Sequence, residues 1–329
     1  MTPSTDFAIL VAWLLCLLAT GCNGSETNHG TSAHPSDLPS SSHDSTTDPE
    51  HPRIPDFDRP RATGNLPPGL VEASGIVQSA WDDDRFWLHN DSSHPPELFA
   101  IRGDGTLLSI LTLPVDNRDW EDISRGPCDE NDDQHRCLYV GEIGDNNARY
   151  PSIAVHRIRE PRELLPELTL QPEDVDTMHL DYLEGPRDAE ALVVDDDMRL
   201  WILTKRPAGQ TELHTAPFIP NDEAEPWPLE FVRDFSLAEL GPGAAADMVT
   251  AADWDSERSL LILRLYSRAL VFPVPDRDLR RLFELPGTRV PTGMEIQGEA
   301  IAWTRDGGYI HVAEGRSATL WKVDLATAP

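Results

Sequence analysis

The 329-residue sequence predicts an all-β fold, a β-propeller of five four-stranded blades, with six as the alternative count. Three observations carry that expectation. A carboxylate next to small and aliphatic residues recurs as EASGI from Glu72, WEDIS from Trp120, AEALV from Ala189 and GEAIA from Gly298, with MVTAA from Met248 as a variant lacking the acid. Each phrase leads through a turn to a second apolar run: FWLHND from Phe86, LYVGEIGDN from Leu138, LWILTKR from Leu200, LLILRLY from Leu260 and YIHVAEG from Tyr309. The anchors Glu72, Glu121, Glu190, Val249 and Glu299 lie about 49, 69, 59 and 50 residues apart, at or above the roughly 40–50 residues of a propeller blade.

Within a unit the phrase is the first strand and the run after it the second, and a third and usually a fourth short strand follow. In the first unit these are ELFAI from Glu97 and TLLSILTL from Thr106, parted by the turn signal Arg102-Gly103-Asp104-Gly105. The last unit supplies GEAIAW, YIHVAEG and TLWKVDL and leaves no outer strand before Pro329. Residues 53–70 are the expected donor of that strand. Closing the ring in this way removes sheet edges that would otherwise pair with other chains.

Ahead of the repeats, residues 7–19 (FAILVAWLLCLLA) are apolar but too short to span a bilayer, and Ala19-Thr20-Gly21-Cys22 follows. A signal peptide is expected over residues 1–21. The segment resembles a bacterial lipobox, which would make Cys22 the lipid-bearing first residue and hold the protein to a bacterial membrane by its lipid alone, in the periplasm or at the cell surface. Residues 22–61 are Ser, Thr, His, Asp and Pro with almost no aliphatic side chains, cannot offset ordering entropy by burial, and read as a disordered tether. The propeller domain is expected over residues 62–329.

A formal net charge of −30 argues against nucleic acid and anionic lipid as direct partners, because phosphate recognition relies on clustered Lys and Arg. Cations and basic ligands are favoured; the protein or small molecule bound is left open. Cys128 and Cys137 bracket the acidic loop PCDENDDQHRC and are expected to form a disulfide in an oxidising compartment. Asp129, Asn131 and Asp133 alternate as calcium-loop ligands do, but the glycine and distal glutamate of that motif are missing, so the loop reads as a disulfide-closed surface feature.

Strand direction locates the candidate site. In a propeller blade the first strand lines the channel and the second runs antiparallel beside it, so the start of one and the end of the other reach the same mouth. That rule collects Glu72, Asp119, Glu121, Asp188, Glu190 and Glu299 from the starts, and Asn90, Asp91, Glu142, Asp145, Asn146, Lys205, Arg264 and Glu314 from the ends. So many carboxylates near one axis raise one another's pKa unless a cation, Lys205 or Arg264 balances them. Oxygen donors without cysteine or histidine suit a hard cation such as Ca²⁺, with Glu72, Asp91, Glu121, Glu142, Asp145, Glu190 and Glu299 as candidate ligands. Lys205 is one of two lysines in the chain; a lysine there serves catalysis, phosphate pairing or a buried ion pair with Glu190. Glutamates at inner strand ends also brace such rings by accepting backbone N–H bonds from the next blade, which is the structural alternative for each anchor.

The phrases EASGI…HNDS, DWEDI…LYVGEIGDN, DAEAL…LTK and QGEAIAW resemble those of bacterial secreted propellers of the TolB-like and esterase-like phytase-domain type, over most of residues 70–325. Their recurrent EGIA-like phrases are matched at Glu72, Glu121, Glu190 and Glu299, and the phytase-like resemblance implies calcium-assisted phosphate ester hydrolysis. The sequence thus supports an extracytoplasmic binding or scaffolding module whose acidic mouth holds Ca²⁺ or a cationic ligand. The alternative is a metal-assisted hydrolase of a phosphate ester or glycoside, with Glu121, Asp145 and Glu190 as acid, base or metal ligands and Lys205 and Arg264 holding the anionic group.

Overall fold

The computed structural model describes residues 52–129, 136–206, 209–240 and 247–327. The signal peptide, Cys22, the tether as far as residue 51, and Asn131 and Asp133 of the acidic loop lie outside the described residues. Cys128 and Cys137 form the expected disulfide, with Cα atoms 5.1 Å apart. No helix among the described residues is long and apolar enough to cross a membrane.

The chain is all-β. After β1 (Arg61–Asn65) come β2 (Ala73–Gln78), β3 (Arg85–Asn90), β4 (Glu97–Arg102) and β5 (Leu107–Thr112), then β6 (Trp120–Pro127), β7 (Arg136–Glu142), β8 (Ile153–Arg159), the short β9 (Glu167–Thr169) and β10 (Val175–Tyr182). The third group is β11 (Ala189–Val194), β12 (Arg199–Thr204), β13 (Gln210–Pro217) and β14 (Trp227–Ser236). The fourth is β15 (Val249–Asp255), β16 (Leu260–Leu265), β17 (Arg268–Pro273) and β18 (Thr288–Val290), and the last is β19 (Gly298–Trp303), β20 (Tyr309–Ala313) and β21 (Thr319–Val323).

Each group pairs its strands antiparallel in sequence order, the up-and-down meander of a propeller blade. Two outer-edge additions depart from the simple pattern. β9 pairs parallel with β5, and β10 pairs parallel with β14, which joins the second and third groups into one eight-stranded sheet. The extra residues between anchors 121 and 190 hold the first of these strands and the long loops around it.

First strands are buried along their whole length in β2, β11 and β19. A strand wedged between neighbouring sheets has no wet face, so its sequence is a short apolar run instead of an alternation. β2 packs on β6, β6 on β11, β11 on β15, β15 on β19 and β19 on β2. A separate apolar cluster fills each space between consecutive groups. Trp87 and Leu98 meet Leu138 and Val140, Tyr139 and Ile153 meet Leu192 and Ile202, Leu203 and Leu213 meet Leu263 and Phe272, Ile262 and Val271 meet Ile301 and Tyr309, and Ala302 and Leu320 meet Leu88 and Phe99.

β1 pairs antiparallel with β21, from Arg61 opposite Lys322 to Asn65 opposite Thr319, so the segment ahead of the first anchor supplies the outer strand of the last group. The packed region reaches further back than the sequence boundary at 62. Phe57 forms a bridge with Leu325 and lies with its ring centroid 5.1 Å from that of Tyr309 and 6.2 Å from that of Trp303, and Ile54 packs on the same cluster. These residues are fixed by aromatic contacts that the polar composition around them conceals. Truncation to a start at residue 66 is expected to abolish a cooperative thermal melt, whereas a start at residue 52 preserves it; Phe57→Ala in the longer chain is expected to cost about 2 kcal/mol in denaturant titration.

Candidate functional site

One irregularity, repeated in every group, builds the mouth. Between β6 and β7 the pairing steps from Trp120↔Glu142 to Asp122↔Gly141, leaving Glu121 as the extra residue. The same step leaves Glu190 extra in β11, Thr250 in β15 and Glu299 in β19, and in β2 Ser74 and Gly75 together face His89 alone. A β-bulge re-aims the side chain that carries it. Just beyond, the residue after each second strand, or its close neighbour, returns an N–H to the residue before each first strand: Asp91 to Glu72 (2.8 Å), Gly144 to Asp119 (3.2 Å), Lys205 to Asp188 (2.9 Å), Tyr266 to Met248 (3.3 Å) and Glu314 to Gln297 (3.2 Å).

This register corrects the sequence alignment of the repeats at two positions. Glu72 stands level with Asp119 and Asp188, one place before the strand, and the bulge slots of the first and fourth groups hold Ser74 and Thr250 where the sequence reading places Glu72 and Val249. A bulge shifts a residue without leaving a mark in composition, so counting along the phrase could not place it.

The slots converge on a cavity of about 180 Å³ lined by, among others, Glu72, Asp91, Glu121, Glu190, Glu299 and Lys205, with Asn146, Tyr266 and Glu314 beside them. Carboxylate oxygens of Asp91, Asp119 and Glu121 lie within 4.8 Å of one another, as do those of Glu121, Asp188 and Glu190, so Glu121 belongs to both groups. Gly144 makes the crowding possible. A Cβ at that position would stand 2.2 Å from Glu121 Oε1 and 2.7 Å from the Asp119 carboxylate.

Three sequence candidates lie elsewhere. Asp145 is buried and accepts the backbone N–H groups of Arg149 (2.6 Å) and Tyr150 (2.7 Å), so it closes its own loop, while Asn146 reaches the cavity. Glu142 turns to Arg118 (3.5 Å) and His156 (3.8 Å); burial raises its pKa, but the neighbouring His156 and the Arg118 guanidinium bring it below the ordinary glutamate value. Arg264 sits behind the wall, 1% exposed, bound to Glu295 at 2.5 Å, with His311 on the same carboxylate at 2.9 Å. It fits there because Gly298 has no side chain: a Cβ would fall 1.6 Å from Arg264 Nη2. Strand-end counting finds the correct end of the channel but cannot see that a long side chain turns back between sheets.

Electrostatically the cavity is frustrated. Burial pushes the Glu121 carboxyl well above the usual range, and the charges of Glu190, Asp91 and Asp119 add to it. Lys205 Nζ lies 2.5 Å from Glu190 Oε1 and 5.2 Å from the Tyr266 ring centroid. Burial pushes Glu190 well above the usual range too, but the Lys205 ammonium on its carboxylate opposes that shift, so of the two Glu121 holds its proton the more readily. Asp119 is pushed up to about 7 by burial and then by Asp91 and Asp188. Glu299 is pushed up to about 8, chiefly by burial. Its residue is 8% exposed, and among the described residues no hydrogen bond or ion pair reaches its carboxylate. Among the described residues the Glu121 carboxyl has one hydrogen-bond partner, Ser74 Oγ at 3.2 Å. None of Glu72, Glu121, Glu190 and Glu299 takes a backbone N–H from the next sheet among the described residues.

The bracing expected of those anchors falls to other residues. Asp122 Oδ2 accepts the N–H groups of Leu192 (3.0 Å) and Ala252 (3.3 Å), and Asp253 Oδ2 accepts that of Trp303 (2.8 Å). Asp122 stands directly after Glu121 in the sequence. The available signal was two acids in a row on a buried strand, of which only one can face the mouth.

The fold and this mouth define an all-β, propeller-type protein with a carboxylate-lined channel entrance. The chain is similar in structure to the PQQ-bound aldose sugar dehydrogenase of Streptomyces coelicolor, at 10% identity and a TM-score of 0.47, over 84% of this chain and 100% of that one. It is similar to a streptogramin B lyase at 11% identity and a TM-score of 0.43, over 82% and 98% of the two chains, and to the apo form of the soluble aldose sugar dehydrogenase of Escherichia coli at 12% and 0.45, over 82% and 99%. No protein-family model matches the chain, and no curated protein matches it in sequence.

The raised carboxyl groups set a direction for pH. Glu121, Asp119 and Glu299 hold protons in the folded chain at pH values where the unfolded chain has lost them, so their ionisation penalises the folded state as pH rises from about 4 through 8. Without divalent ions the melting temperature is expected to fall between about pH 5 and 9. Glu121→Gln combined with Glu299→Gln should flatten that profile; an unchanged slope would remove these groups as its source.

Proposed function

We propose that the chain is a five-bladed β-propeller whose ring is closed by β1, and that it works as an extracytoplasmic, lipid-anchored binding module whose acidic mouth holds Ca²⁺ or a cationic ligand. The observation that carries the binding site is Glu299 with Glu121: carboxylates buried at a cavity wall, raised in pKa and without the backbone partners that a purely structural role requires. Five groups of strands, five first strands packed in succession and the β1–β21 pair support the blade count and closure.

Of the two three-carboxylate groups, Asp91, Asp119 and Glu121 form the better ion site, because Glu190 in the other group is already neutralised by Lys205. Oxygen-only ligands from flexible acidic side chains suit Ca²⁺ better than zinc or a soft metal. The bound ion would replace the protons on Glu121 and Asp119, so binding strengthens with pH. The lipid anchor at Cys22 and the kinship with TolB-like and phytase-like propellers rest on sequence phrases alone.

The hydrolase reading retains one supporting observation, two neighbouring buried carboxyls held differently, Glu190 on the Lys205 ammonium and Glu121 without a cation in contact, an asymmetry that acid–base catalysis can use. It loses Asp145 and Arg264 to structural contacts, and Lys205 is engaged by Glu190. Binding is therefore the primary reading.

Calorimetric titration of residues 52–329 with CaCl₂ after chelator treatment tests it. Saturable binding that is tighter at about pH 8 than at pH 6, lost in Glu121→Gln with Asp119→Asn and kept in Glu142→Gln, is the expected result. Absence of saturable heat at both pH values would overturn the ion site.

A further inference from the structure

The far end of the channel carries a different chemistry. First strands end there at Gln78, Pro127, Val194, Asp255 and Trp303. These ends, with the turns that follow several of them, line a cavity of about 400 Å³, the size of a small-molecule site. In a chain of net charge −30, this wall is balanced: four arginines, Arg125 and Arg258 among them, stand with four carboxylates, Asp255 and Glu257 among them. Trp81, Trp254 and Trp303 provide its apolar faces.

We propose that this funnel binds a neutral saccharide of one or two rings. Two of its four arginines already sit on carboxylates, since Arg258 Nη1 lies 2.5 Å from Asp255 Oδ2 and Arg305 pairs with Asp83 just outside the wall, and the charge of Arg125 acts on the buried Asp253 carboxyl. A charged ligand would meet as much repulsion as attraction unless it broke those pairs. Vicinal hydroxyl groups both donate and accept, so a sugar can donate to a carboxylate and accept from a guanidinium at once, leaving the pairs intact. Arg125 has donors to offer: its one hydrogen bond among the described residues runs from Nη1 to Gln78 O at 2.9 Å, and no carboxylate lies within ion-pair distance. The tryptophan faces suit the C–H faces of a pyranose ring.

The wall is held in place before any ligand arrives. Trp81 Nε1 donates to Glu160 O at 3.3 Å while Arg162 covers its ring at 4.0 Å. The backbone N–H groups of Trp254 and Trp303 each donate to Asp253 at 2.8 Å. Arg305 Nη2 donates to the carbonyls of Ser79 (3.3 Å) and Ala80 (2.9 Å), which fixes one turn of the rim. Such preorganisation lowers the ordering cost of binding a small polar ligand.

The test is an array of neutral and anionic glycans probed with the chain, followed by calorimetry with the strongest neutral binder and with sodium phosphate, while tryptophan emission is recorded. Neutral mono- or disaccharides are expected to bind and shift the emission. Arg125→Gln and Trp254→Ala should each weaken binding by about tenfold or more, with Arg125→Gln keeping the parent melting temperature. Glu121→Gln, at the other mouth, should leave it unchanged. Binding of anionic glycans or phosphate alone, neutral binding that Arg125→Gln does not weaken, or no glycan binding at all would overturn the proposal.

Discussion

The architecture depends on one buried carboxylate. Asp122 is 0% exposed on β6 and accepts backbone N–H groups from its own neighbour Ile123 (2.9 Å), from Leu192 on β11 and from Ala252 on β15. Three first strands meet at this group. Burial drives its pKa well above the usual range, and the three N–H donors oppose that shift. Without the carboxylate, N–H groups of two other strands would lose their acceptor in a space closed to the solvent, a cost of about 1–3 kcal/mol for each. Gly75 keeps the first group close to this point, since a Cβ there would lie 2.5 Å from His89 Nε2 and 2.7 Å from the Ile123 nitrogen.

Because Asp122 and Asp253 carry the ties between first strands, the glutamates beside them are released from that task. Glu121 and Asp122 are adjacent in sequence and opposite in use. In a regular strand neighbouring side chains would simply point to opposite faces; the bulge at Glu121 turns its carboxylate towards the mouth and leaves Asp122 pointing across the axis. The same bulge at Glu190 and Glu299 makes an acidic entrance out of residues that a smooth ladder would direct elsewhere.

The pattern of strands was readable in the sequence because each first strand is a short apolar run and each repeat ends in a turn. A donor of the last outer strand within residues 53–70 followed from counting strands, and β1, at Arg61–Asn65, pairs with β21. The convergence of Glu72, Asp91, Glu121, Glu190, Glu299 and Lys205 followed from strand direction. What the sequence did not disclose were contacts decided by side-chain reach and local backbone geometry. Arg264 is drawn back by Glu295, Asp145 by the amides of its own loop, and Phe57 is held by two aromatic rings far along the chain. The arginine and tryptophan funnel was invisible for another reason, since its residues sit in turns that share no phrase.

A repeated scaffold here supports a lopsided site. Glutamate fills three bulge slots, and Ser74 and Thr250 fill the others, where their hydroxyls donate to the Glu121 and Gly298 carbonyls at 2.7 and 2.8 Å and bind adjacent groups together. Carboxylates therefore crowd the arc from Asp91 through Glu190, Lys205 stands at the Glu190 end of it, and Tyr266, Glu299 and Glu314 line the rest of the cavity. A cation bound as proposed would be held off the axis, towards Asp91, Asp119 and Glu121, by the ammonium as much as by the acids. Lys205 has two effects at once: it opposes the upward shift of the Glu190 carboxyl, and it would repel a cation from the second carboxylate group. The two hydroxyl slots tie adjacent groups together, and the three acidic slots, biased by one lysine, would set where at the mouth a cation rests.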